Sequence, residues 1–370
     1  MKKYILLAVF TLGSLVLFCQ LSFAQGCVAI RQFSGIGNAV GQLNVQTKGD
    51  LNVGLSYRYF KSFRHFRGTH EEPDRIENGT QVINWSHGLD FNIGYSFTDR
   101  LFGVVSIPYA YNERSSLYEH GRETRHKSYS GGLADIRLGA GYWILSGEKA
   151  AKGNISLGLG FKLPTGDYNA KSTFYNVGPN KTSEVRPVDQ SIQLGDGGFG
   201  ITLESQGLKE FKSSLFGYYN AFYLFNPRNT NGTQTFRSRA SEGIMSVPDQ
   251  YALRAGLFYG IEKVHGLGFS LGGRLEGVPV RDLIGESGGF RRPGYVISVE
   301  PGASYMLGNV TATLNVPVAL VRNRTRSLTD ISDSTPDNFR HGDAAFADYL
   351  LNFSLAWRIP KKAPVLFNSL

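Results

Sequence analysis

The chain has 370 residues, 41% of them hydrophobic, with 45 Gly, 25 Phe and 19 Tyr and a formal charge of +9; its mean hydropathy is −0.19. Two cysteines, Cys19 and Cys27, exclude a disulfide-stapled fold and a cysteine metal centre. Lys and Arg are scattered rather than blocked, which excludes a nucleic-acid stripe and favours a surface facing anionic headgroups or periplasm.

The first element is a leader. MKKYILLAVFTLGSLVLFCQLSFAQ joins two lysines, an apolar run from Ile5 to Phe18 and the small-x-small site Ser22-Phe23-Ala24. That is the layout of a signal peptide over residues 1–24, and the run is too short for a membrane helix. A retained anchor, or a lipoprotein through Cys27, is the weaker reading. Cleavage removes Lys2, Lys3 and Cys19, leaving a charge of +7 and one cysteine. Residues 25–48 are then a short periplasmic segment.

From residue 49 onward, apolar residues recur at every second position. They are Leu51, Val53, Leu55, Tyr57 and Tyr59; Leu89, Phe91, Ile93, Tyr95 and Phe97; Leu101, Val105, Ile107, Tyr109 and Tyr111. The pattern returns at Ala134, Ile136, Leu138, Ala140 and Tyr142, and in GNISLGLGFKLPTGDYN (153–169) at Ile155, Leu157, Leu159 and Phe161. Further runs follow at 199–203, 251–261, 267–275, 295–305, 310–320 and 349–359, while SLFGYYNAFYLF (214–225) is apolar on both faces and gives no orientation. About twelve strands result, most of them near the 9–11 residues that cross a bilayer.

Connector length decides the class. Long segments (about 62–86, 112–131, 165–197, 226–249, 279–293 and 322–346) alternate with short ones such as Thr98-Asp99-Arg100 and 307–309. A soluble sandwich or lipocalin-like barrel has no reason to sort its loops by length. An outer-membrane barrel does, with short periplasmic turns and long external loops. The expectation is therefore an all-β, closed antiparallel transmembrane β-barrel over 49–360, followed by a tail, 361–370. Aromatics near strand ends, Tyr57, Tyr59, Tyr95, Phe97, Tyr109, Tyr111, Tyr349 and Trp357, suit interfacial girdles.

With the apolar set facing lipid, twelve charged residues turn inward: Arg58, Asp90, Asp135, Arg137, Lys162, Glu204, Arg254, Arg274, Glu276, Glu300, Asp348 and Arg358. None then sits in lipid, where a charge at the midplane costs about 2–4 kcal/mol. Mixed signs predict a cross-lumen salt-bridge network, with a charged, solute-selecting constriction as the alternative. Pro301 and Pro317 fall inside strands and predict bulges or ladder defects.

SGGLADIRLGAGYWIL (130–145) and the segment after it resemble a family of bacterial outer-membrane proteins, labelled meta-pathway phenol-degradation proteins or transporters. Gly132, Asp135, Ile136, Leu138, Gly139 and Tyr142 carry the resemblance, followed by Gly158, Gly160, Lys162, Pro164, Thr165, Gly166 and Asp167. Gly195-Asp196-Gly197-Gly198 gives a second echo, and the likeness is best over 87–225. Within Lys-x-Pro-Thr-Gly-Asp, Pro164 ends a ladder and Asp167 is placed to cap its own turn. The resemblance implies a channel or uptake role for small, aromatic or hydrophobic compounds.

Three further motifs have competing readings. GDGGFG (195–200) fits G-x-G-x-x-G, but a loop precedes it and a strand follows, so a dinucleotide site is rejected. His65, His70, Glu71 and Glu72, with His120, His126 and His341 on other loops, raise a metal site or a rim hydrolase; solvated loop residues are the commoner explanation. Arg114, Arg122, Arg125, His126 and Lys127 make one external loop basic and suit lipopolysaccharide phosphates.

The reading is an outer-membrane channel or transporter with no cofactor, no metal and no catalytic residue. Its partners are the lipid bilayer, lipopolysaccharide, a small solute and the barrel assembly machinery, with no nucleic acid. A rim hydrolase and a non-transporting structural or adhesive barrel are the alternatives.

Overall fold

Apolar alternation forces a sheet, and a sheet with lipid outside it must close on itself to pair every backbone group. The computed structural model describes residues 46–361. The expected leader, residues 25–45 and residues 362–370 lie outside that range.

The wall consists of β1 (Leu51–Arg67), β2 (Ile83–Ser96), β3 (Leu101–Ser116), β4 (His126–Leu133), β5 (Arg137–Trp143), β6 (Gly153–Lys162) and β7 (Gly200–Lys212). It continues through β8 (Leu215–Phe225), β9 (Gln250–Gly260), β10 (Leu267–Val278), β11 (Gly294–Leu307), β12 (Val310–Asn315), β13 (Val318–Asn323) and β14 (Ala344–Ile359). β4 and β5 share one position beside β3, and β12 and β13 share one between β11 and β14. Twelve antiparallel positions result, and the pairing of β14 with β1, from Leu51↔Ile359 to Phe66↔Ala344, closes the ring.

The outward side chains are apolar and exposed, Leu157 at 58% and Leu159 at 49% among them. Two exposed aromatics, Tyr349 and Trp357, stand eight residues apart on β14. At about 3.4 Å per residue and a tilt near 40°, that spacing spans roughly 21 Å, close to the height of an outer-membrane apolar band. Lipid is the environment these faces require.

The inward face needs glycine because neighbouring rings lie across it. A Cβ on Gly268 would stand 2.1 Å from Cζ of Phe258, and one on Gly141 would stand 2.3 Å from Cζ of Phe102. Any larger residue there would displace a ring packed into the lumen.

Three corrections concern the wall. The expected loops 62–86 and 112–131 shrink to 68–82 and 117–125, because β1 to β4 continue above the apolar band. Up there the strands need no lipid-facing set, and polar cross-strand pairs hold them: Asn84 Nδ2 to Ser62 Oγ at 2.8 Å, and Ser86 Oγ to Asn112 Oδ1 at 2.7 Å. The ambiguous stretch 214–225 becomes β8, whose register turns Phe216, Tyr218, Asn220, Phe222 and Leu224 inward. Arg114 is not a loop cation. It points inward on β3, is buried, and donates to Glu119 at 2.6 Å and to Asn84 at 3.0 Å.

The two prolines meet at one defect. Pro317 lies in the break between β12 and β13, opposite Pro301 of β11. The Val316 N–H bonds the Pro301 carbonyl at 2.9 Å, and the Leu350 N–H bonds the Pro317 carbonyl at 3.1 Å. Irregular bonds thus replace the missing ladder.

Candidate functional site

Strand register turns Arg58, Asp90, Arg137, Lys162, Glu204, Arg254, Arg274, Glu276 and Glu300 into the lumen, and the break between β4 and β5 does the same for Asp135. They form separate groups rather than one ring. On β9–β11, Glu300 receives Arg254 at 3.3 Å and Arg274 at 3.4 Å, and Arg274 also holds Glu276 at 2.6 Å. All four are buried, so each ion leans on its partners, and removing one would strand another.

The second group joins wall to loop. Lys162 ends β6, and its Nζ reaches Asp135 at 3.3 Å, the Gly198 carbonyl at 2.8 Å, and Asp196. Asp135 accepts the Gly166 N–H at 3.0 Å. Thr165 repairs the strand break: its hydroxyl accepts the Ile136 N–H at 2.8 Å and donates to the Ala134 carbonyl at 3.0 Å. Asp167 caps the turn by accepting the Asn169 N–H at 2.9 Å. Lys-x-Pro-Thr-Gly-Asp is therefore a clasp, and the Gly-Asp-Gly-Gly run is its other jaw.

Beyond the clasp, the 163–199 loop lies over the lumen and is latched there. Asp189 accepts both arms of Arg292, at 2.9 and 2.7 Å, and the Ser191 N–H at 3.0 Å. Burial alone would raise the Asp189 pKa, but Arg114 and Arg292 hold it well below the carboxylate range. Under this loop lies a cavity of about 130 Å³, bordered by Arg58, Asp90 and Arg137 below and by Ile192 and Leu194 above.

Two expected lumen residues stand apart. Asp348 pairs with Arg64 at 3.3 Å near the outer rim, and Arg358 pairs with Asp50 at 2.6 Å at the periplasmic end. Asp196, Asp189, Arg292, Arg114 and the inward ring of Phe222 escaped sequence reasoning. Asp196 carried a signal in its Gly-rich echo; the loop ions carried none.

Two of the rim histidines, His65 and His120, are engaged by other partners. His65 Nδ1 lies 2.6 Å from Asp343, but its Nε2 accepts the Val82 N–H at 2.9 Å, leaving no nitrogen for a serine. His120 stacks on Phe174 at 5.2 Å; burial, with His126 and Arg114 nearby, lowers its pKa to about 4. Among the described residues no group of three His, Cys, Asp or Glu is placed to hold a metal ion.

A closed antiparallel ring with lipid-facing aromatics and interior ions defines a bacterial outer-membrane β-barrel, and this chain is one. Residues 75–204 match the family described as "Putative MetA-pathway of phenol degradation", overlapping the stretch where the sequence resemblance was read. The fold is similar to that of an outer membrane channel from Pseudomonas putida F1, with a TM-score of 0.57, 11% identity, and 86% of this chain and 98% of that one covered. The translocator domain of the autotransporter NalP from Neisseria meningitidis aligns at TM-score 0.46 and 11% identity, over 86% of this chain and 91% of that one. The toluene transporter TodX of Pseudomonas putida aligns at 0.45 and 9%, over 90% and 99%. No curated protein matches the chain. At these identities the likeness is one of fold.

Proposed function

We propose that the barrel conducts small organic molecules, aromatic ones among them, across the outer membrane. The observation that carries this reading is the lumen face of β8, where Phe216, Tyr218 and Phe222 lie beside the ions of the adjoining strands β9–β11. A path for inorganic ions needs no aromatic wall, whereas a small ring compound would find contacts on one. The description of the matching family points to phenolic compounds, and the similar Pseudomonas putida F1 protein is an outer membrane channel; both support the reading by analogy.

The charged groups take the role of selecting the solute, with the buried Arg254, Arg274 and Glu300 foremost. Outside, Arg122 and Lys127 at the rim suit lipopolysaccharide phosphates. Purified protein in planar bilayers should give small conductance steps whose ion preference changes in Arg254→Ala. Proteoliposomes should swell faster in phenol than protein-free vesicles do. Closed bilayers together with unchanged swelling would leave a structural barrel.

A further inference from the structure

We propose that the cavity beneath the 189–196 segment is a subsite for the carboxylate of a small hydroxylated aromatic acid, with Arg137 as its anchor. This deepens the channel reading and rests on it.

Charge comes first. Among the described residues bordering the cavity, Arg58, Arg137, Lys162 and Arg292 are cationic, and Asp90, Asp135 and Asp196 are anionic. The cavity therefore carries one positive charge in excess. Lys162 is engaged by Asp135 and Asp196, and Arg292 is engaged by both oxygens of Asp189.

Arg137 is different. It is 7% exposed, lines the cavity, and has Nε and Nη1 buried with no hydrogen-bond acceptor. Carboxylates surround it electrostatically, Glu204 and Asp90 foremost, yet none bonds those two nitrogens. Nε and Nη1 do not share a fork, since each is paired geometrically with Nη2, so a carboxylate accepts from one of these two N–H groups at a time. A buried guanidinium with two donors left without an acceptor is a costly arrangement unless something supplies one.

The rest of the pocket selects what the anion is attached to. The guanidinium lies 5.0 Å over the Phe222 ring, and Pro108, Ala134, Ile192 and Leu194 supply apolar walls. A bare inorganic anion would leave those walls without contacts, whereas a ring would fill them. Gln250, also on the lining, has a buried Oε1 without a donor, which a hydroxyl on the acid supplies. The volume of about 130 Å³ is comparable with the roughly 150 Å³ of an engineered apolar cavity that takes up benzene, which is room for one small ring compound.

The test is calorimetric titration of the detergent-solubilised full chain with 4-hydroxybenzoate and with neutral 4-hydroxybenzyl alcohol. The acid should bind at least tenfold tighter, and Arg137→Gln should erase the difference. Gln250→Leu should lower affinity for 4-hydroxybenzoate to that for benzoate. Equal binding of acid and alcohol by the wild-type chain overturns the inference, even if Arg137→Gln fails to fold. So does displacement of the acid by equimolar chloride. Planar bilayers run on the same preparation separate the two readings. Acid binding without conductance keeps the subsite and removes the channel; conductance without acid preference does the reverse.

Discussion

Asp189 shows how a single carboxylate can hold a loop over a lumen. Both of its oxygens are taken by Arg292, and Arg114 lies 3.5 Å away. Its folded pKa lies below the ordinary value near 3.9, so its contribution to stability is complete above about pH 4 and is lost only as pH falls through the depressed folded value. Hydrogen exchange across residues 165–199 should therefore be equally protected by this latch at pH 7 and pH 5. Asp189→Asn removes the charge and leaves two buried guanidinium groups short of a partner, a loss of about 3–5 kcal/mol for a broken buried pair. Protection of the loop should fall sharply in the variant at both pH values. Unchanged exchange would mean that the loop is held by something other than this ion pair.

At the scale of the element, the break between β4 and β5 is the informative feature. The chain leaves the ladder at Ala134, inserts Asp135, and rejoins it at Arg137 with the inward parity switched from even to odd. Thr165 stands in for the lost neighbour by bonding Ile136 and Ala134. Thr165→Val keeps the shape and removes both bonds, which should cost about 1–3 kcal/mol for polar groups left unmade. Urea unfolding in detergent or lipid measures the difference. A midpoint equal to that of the wild type would show that water replaces the hydroxyl without loss. β8 makes the complementary point. Its alternation is invisible because both faces are apolar, yet the inward set is fixed once β7 and β9 pair with it.

For the whole molecule, the governing condition is that lipid lies outside and ions lie inside. Leu159 and Lys162 share β6 and differ only in which side of the wall they face. Leu159→Arg should destabilise the barrel by about 2–4 kcal/mol, whereas the natural Lys162, at the end of the same strand, faces inward and is stabilised by its carboxylates. The heat-modifiable shift of the folded barrel on detergent gels should move to lower temperature in Leu159→Arg. An unshifted transition would place residue 159 outside the apolar band and contradict the outward register. The Arg254–Glu300–Arg274–Glu276 group acts at the same scale, bracing three neighbouring strands from within.

The sequence by itself determined the strand count, the lipid face of most strands, ten of the twelve ions expected inside and the ordering of short and long connectors. Each of these follows from a period of two or from the thickness of a bilayer, which act locally along the chain. Tertiary structure alone decided that the ions divide into separate groups, that Arg114 turns inward, that the 163–199 loop folds over the lumen onto Arg292, and that Phe222 lies beneath Arg137. Those contacts join residues far apart in the chain across a closed ring, and closure brings them together through register and shear, quantities no single strand contains.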